Sequence, residues 1–161
     1  QHAGGEAYAY RLRLSAPQPD FALRVVPSRV VLRGKESATV SVHAIRKDGF
    51  SAPITFALQN TNAGFSVASA TLSGTQTVTR VTLKSNLAET EEPVALVLQG
   101  VSTNAAGARL VRDAVPAEDR MQAFLWRHLV PAQEFLAMVY DPKTVPDEPR
   151  ARKFGKGKKK P

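Results

Sequence analysis

Between Phe21 and Val111 the chain alternates apolar and polar residues in short runs, and Gly, Pro, Asn or Asp punctuates most of the gaps between them. Period two places successive side chains on opposite faces of an extended backbone, so each run is a strand with one face fit for burial. The runs are Phe21, Leu23 and Val25; Val30 to Leu32; Ala38, Val40, Val42 and Ala44; Ile54, Phe56 and Leu58; Val81 and Leu83; Val94, Leu96 and Leu98; and Ala108 to Val111. No helical period interrupts them. Short strands at this spacing pack best as two sheets face to face, which predicts an all-β, immunoglobulin-like antiparallel β-sandwich over residues 20–115. Its expected core is Val40, Val42, Phe56, Leu58, Val81, Leu83, Leu96 and Leu98. Phe21–Val25 and Val30–Leu32, separated by Pro27-Ser28, read as one split edge strand.

Upstream, Tyr8, Tyr10, Leu12 and Leu14 alternate with Ala9, Arg11 and Arg13. Ala16-Pro17-Gln18-Pro19-Asp20 then breaks the pattern, because proline cannot donate to a ladder. Residues 1–16 are therefore expected to be the last strand of a preceding or associated β domain. Gln1 in place of Met fits a piece of a longer polypeptide. Downstream, residues 116–140 read as a short helix or strand appendage. Pro116, Glu118 and Asp119 followed by Met121, Phe124, Leu125 and His128 fit a helix start. Phe124, Trp126, His128 and Val130 equally fit a strand, and Phe135–Tyr140 is a further strand. Residues 141–161, with four prolines and a lysine run, are expected to be a disordered basic tail.

Several short passages resemble the Ig-like accessory domains of large secreted bacterial proteins. They are Val26-Pro27-Ser28, Gly34, Ala38-Thr39-Val40, Asp48-Gly49-Phe50, Pro53-Ile54-Thr55-Phe56, Gly64-Phe65 and Val81-Thr82-Leu83. Tyr8-Ala9-Tyr10-Arg11-Leu12-Arg13-Leu14 is similar to the final strand of a pre-peptidase C-terminal (PPC)-type domain, which often precedes such modules. The resemblance implies a secreted or cell-envelope location and an accessory role, and it brings no catalytic residue with it.

The formal net charge of +8 is concentrated at one end. Arg150, Arg152, Lys153, Lys156, Lys158, Lys159 and Lys160 stand in the last twelve residues without an acid, and the remaining cations nearly balance the 14 acids. These seven are the candidate polyanion-binding residues, toward an acidic polysaccharide or other polyanion. A surface built to read nucleic acid would cluster its cations within the fold, so no specific nucleic acid is expected as a partner. The longest apolar runs fall short of the roughly 20 residues a membrane helix needs, so no membrane insertion is expected.

With no cysteine there is no thiolate nucleophile or thiolate metal site. His2, His43 and His128 are far apart in the chain and lack paired spacing, so no metal or other cofactor is expected. His43 reads as a solvent-facing strand residue and His128 as a neighbour of the core. Gly64-Phe65-Ser66-Val67-Ala68 has the first glycine of a nucleophile elbow and lacks the second. Arg29 and Glu36 occupy positions that would spoil a phosphate loop around Gly34-Lys35. The acids Asp113, Glu118, Asp119, Glu89, Glu91 and Glu92 lack the alternating pattern of a calcium loop and read as a solvated face. Phe124 and Trp126 are the candidate ligand surface, since aromatic faces stack on sugar rings. Together these features predict a non-enzymatic interaction or spacer module, with adjoining domains of a larger chain as partners. The alternatives are a carbohydrate-binding module and a fragment of a secreted hydrolase.

Overall fold

The computed structural model describes residues 14–59, 64–104, 107–121 and 127–143. All regular structure in them is strand: β1 (Asp20–Val26), β2 (Arg29–Arg33), β3 (Ser37–Lys47), β4 (Ile54–Leu58), β5 (Phe65–Val67), β6 (Thr71–Leu72), β7 (Val78–Ser85), β8 (Val94–Leu96), β9 (Leu98–Thr103), β10 (Arg109–Met121), β11 (Arg127–Pro131) and β12 (Phe135–Tyr140). The chain is an all-β sandwich, as its alternation predicts.

One layer runs β5-β7-β3-β1 and the other runs β6-β4-β9-β10. In immunoglobulin lettering these are the orders DEBA and CFG with one extra edge strand, the arrangement of an immunoglobulin-type sandwich. A separate ladder, β2-β12-β8, continues the second layer. Only Val97 separates β8 from β9, and Leu96 and Leu98 on either side of it both face the core. Most pairs are antiparallel, but β1 runs parallel to β10 and β2 parallel to β12. The two parallel pairs lie on either side of the jog at Pro27-Ser28. It moves the chain from β1, antiparallel to β3 in one layer, to β2 beside β12 in the other. The β1·β10 pair joins the layers along one flank and curls the sheet. Thus β1 is an interior strand and only β2 is an edge, which corrects the reading of both as one edge strand.

Every residue of the expected core is buried. Phe21 and Leu23 of β1 lie over the second layer at Gly100, where an added Cβ would run into Leu23 and come within 2.9 Å of Ile54 and 3.2 Å of Phe21. Glycine there is a packing requirement: the two layers approach closely because β9 presents no side chain. The Lys47-Asp48-Gly49 turn between the layers takes positive φ at Asp48 (48°) and Gly49 (77°), which aspartate tolerates and glycine takes freely. The Phe50 amide closes it on the Lys47 carbonyl at 2.9 Å.

The core does not stop at residue 115. Strand β12 lies between β2 and β8 and buries Phe135, Ala137 and Val139, so the segment read as an appendage supplies a central strand. Ahead of it, β10 passes through Pro116 without turning helical and pairs with β11 from Ala117↔Pro131 to Met121↔Arg127. Ala114 and Ala117 are both buried although three residues apart, so the face of β10 changes phase at Pro116. The competing helix reading rests on the spacing of Met121, Phe124, Leu125 and His128; the structure places Met121 in β10 and His128 in β11 instead. Residues 1–13, where the upstream strand is expected, and the basic segment 144–161 lie outside the described residues.

Candidate functional site

The β10–β11 hairpin leaves the sandwich where β10 has finished pairing with β1. Its strands are joined by residues 122–126, which hold Phe124 and Trp126 and are not among the described residues. Cross-strand pairing sorts the described part of the hairpin into two faces. One carries Asp119, Met121 and Leu129; the other carries Glu118, Arg120, His128 and Val130. Met121 is 61% exposed and Val130 46%, so both faces offer apolar side chains to solvent. His128 is also exposed, which corrects its placement next to the core.

The hairpin is latched at its base. The Ser28 amide donates to Glu118 Oε1 at 3.2 Å, and the Ser28 hydroxyl donates to the same oxygen. The Ala132 amide donates to the Pro116 carbonyl at 2.8 Å and the Leu136 amide to the Ser28 carbonyl at 2.9 Å. Ser28 is buried, so Glu118 satisfies two donors that water cannot reach. The Ser28 hydroxyl bond lowers the Glu118 pKa most; burial opposes it, and the Ser28 amide, Arg120 and Arg29 add to the lowering. Glu118 is thus a structural acceptor, not part of a solvated acidic face. The latch was invisible in the sequence because its partners stand 90 residues apart.

A serine bonded to a carboxylate invites a catalytic reading, and its surroundings argue against one. A nucleophilic serine needs a base that takes its proton and an approach for the substrate. Ser28 is 2% exposed, and a carboxylate held below its ordinary pKa is a poor base. Beside the latch, Arg29, Arg120, Val130 and Pro131 line an open notch of about 500 Å³.

The opposite end of the sandwich gathers the β3–β4 and β9–β10 loops. Pro19, Phe50, Ala52, Thr103 and Asn104 line a groove there of about 390 Å³. Arg46 braces it: its guanidinium donates to the carbonyls of Ala52 at 2.9 Å and Ser73 at 2.8 Å, and lies over the Phe50 ring at 5.6 Å. The Asn104 side chain is occupied by the Ala108 amide at 2.8 Å. The groove's polar groups hold its own loops.

Of the other candidate residues, His43 is half-buried in register with Arg24 and Val78. Glu89, Glu91 and Glu92 are exposed, and Asp113 accepts from the Gln99 side chain at 2.8 Å. Among the described residues no three His, Asp or Glu side chains stand close enough to hold a metal ion. No described helix is long and apolar enough to cross a membrane. Phe124, Trp126 and the seven cations Arg150 to Lys160 all fall outside the described residues. No protein-family model matches the chain, and a search of curated proteins finds no match.

Proposed function

We propose that this chain is a non-catalytic interaction module of a larger extracytoplasmic protein, which uses the sandwich as a rigid mount and the β10–β11 hairpin as its contact element. The observation that carries this reading is the hairpin's exposure on both faces, combined with the latch at its base. Apolar side chains left substantially open to solvent, on an element held in fixed orientation, suit contact with a neighbour. Phe124 and Trp126 fall in the same hairpin by sequence, and aromatic residues are the usual anchors of such contacts. The likeness to Ig-like accessory domains supports the extracytoplasmic setting, and the seven terminal cations suit a weak polyanion contact.

Trp126 is the single tryptophan and provides the test. Its emission is followed while the chain is titrated with the remainder of the parent protein. Residues 120–128 are then replaced by Asn-Gly, a two-residue turn that closes the hairpin early, and binding of this variant is followed by calorimetry. The expected result is binding by the intact chain, loss of binding in the shortened one, and little change in melting temperature. Undiminished binding by the shortened chain overturns the reading. An emission shift on adding polysaccharide alone moves the assignment to carbohydrate binding.

A further inference from the structure

A second surface, which adjoins the hairpin latch at Arg29, lies along β2. Among the described residues β2 pairs only with β12, so it forms the open edge of its sheet. The Leu136 amide donates to the Ser28 carbonyl and the Gly34 amide to the Tyr140 carbonyl. Backbone groups alternate along a strand, so residues 28, 30, 32 and 34 turn theirs toward β12, while Arg29, Val31 and Arg33 turn theirs outward. The Arg33 carbonyl is taken by the Glu36 amide at 3.3 Å in the following turn. The Arg33 amide and both backbone groups of Arg29 and Val31 are left aimed away from the sheet.

The side chains of this edge have a definite chemistry. Arg29, Val31 and Arg33 lie on the outer face and are exposed, Val31 by 64%. Val31 is in register with Met138, and Arg29 with Leu136. With Pro93 these line a shallow apolar depression of about 200 Å³ that reaches β2 at Arg29 and Val31. Arginine, apolar, arginine at alternate positions is the complement of acid, apolar, acid. Arginines on an edge also discourage indiscriminate strand pairing, which biases the edge against all but an acidic strand.

We propose that the β2 edge takes up an extended acidic segment of a partner protein as an added strand. Its acidic residues at i and i+4 lie beside Arg29 and Arg33, and its apolar residue at i+2 extends the Val31–Met138 row. Backbone bonds to Arg29, Val31 and Arg33 supply strand addition, and the charge pattern supplies selectivity.

The test uses the full chain and a labelled peptide, Thr-Glu-Thr-Val-Thr-Glu-Thr with blocked ends, followed by fluorescence anisotropy. Binding is expected, weakened several-fold when sodium chloride rises from about 50 to about 300 mM. A peptide with Lys for both Glu is expected to bind at least about tenfold more weakly. Val31→Pro removes an outward amide that no described strand uses, at an edge where proline is tolerated. It should abolish binding and leave the melting temperature within a few degrees. Should Val31→Pro unfold the chain, the double variant Arg29→Glu/Arg33→Glu decides, with preference expected to reverse toward the Lys peptide. No binding by the native chain at low salt, equal binding of the two peptides, or binding unmoved by both variants overturns the proposal.

Discussion

Strands β4 and β10 obey the same local rule and meet different fates. In β4, Ile54, Phe56 and Leu58 are buried while Thr55 and Ala57 are exposed, and the alternation reads directly as inside and outside. In β10, 13 residues long, only Ala114 and Ala117 are buried, and beyond Ala117 both faces meet solvent. The alternation of a strand says which residues share a face. Whether a second layer covers that face depends on strands elsewhere in the chain. β4 faces the layer that holds β1; beyond Ala117, among the described residues, β10 pairs with β11 alone, and Ser28 bonds Glu118 at the base.

The sharpest way to break this contrast is to remove a covered side chain. Phe21 is 1% exposed, packs against Phe50 at a ring separation of 5.1 Å, and sits above Gly100. Phe21→Ala should cost about 3–5 kcal/mol, since the layers meet too closely at Gly100 to collapse further. Its denaturant midpoint would fall accordingly; an unchanged midpoint would mean that β1 is not the lid of the second layer.

Next comes the joint between covered and uncovered regions. Glu118→Ala leaves the buried Ser28 amide and hydroxyl without their acceptor, which should cost about 1–3 kcal/mol. The charge on Glu118 adds a pH signature. The Ser28 hydroxyl and its other neighbours hold Glu118 below the ordinary 4.5, so its contribution is complete above that value and is lost as pH falls through the lower folded-state value. The stability gap between the native chain and Glu118→Gln should therefore narrow from neutral pH toward pH about 3. A gap independent of pH would show that the carboxylate charge plays no part in the latch.

These two changes also mark what could be read from the sequence. The core strands were legible because burial and alternation coincide in them, from Val40 and Val42 to Leu96 and Leu98. The latch was not, because one serine and one glutamate far apart in a chain carry no joint signal. The spacing of Met121, Phe124, Leu125 and His128 made a strand pair resemble a helix, and β12 was set apart from a core it completes because strand order is fixed by pairing and not by sequence distance. Among the candidate sites, the sequence drew attention to Phe124 and Trp126, but it could not show that Met121 and Val130 flank them uncovered.

A smaller effect is expected within the covered half of β10. Arg112 Nε lies 3.0 Å from Asp20 Oδ1, joining β10 to the start of β1, but the two side chains are 42% and 31% exposed. Burial raises the Asp20 pKa; Arg112, the Phe21 amide and Lys47 together outweigh that, and the net shift is downward. The pair's contribution is thus present above the ordinary 3.8 and lost as pH falls through the lower folded value. Solvent screens it, so Asp20→Asn should cost no more than about 1 kcal/mol, less in high salt. A larger loss, unaffected by salt, would assign Asp20 a role in closing the β1·β10 seam that the ion pair does not explain.

The smallest expected change is the most informative about the hairpin. Met121 and Val130 belong to opposite faces of β10–β11, so no single sheet could cover both. If the faces are open, Met121→Ser and Val130→Thr exchange an apolar group in water for a polar one, and each should shift stability by less than about 0.5 kcal/mol. The double variant should be additive within error, because the side chains share neither a face nor a described partner. A loss above about 1 kcal/mol from either would mean that the hairpin folds onto a surface of its own chain. The comparison with β4 would then fail at its root, since β10 would be covered by a layer of its own. Two silent substitutions, followed by weaker binding of the partner proposed for the hairpin, would instead separate the molecule's two uses of the same alternating strand: hidden side chains that hold the fold, and exposed ones open to a neighbour.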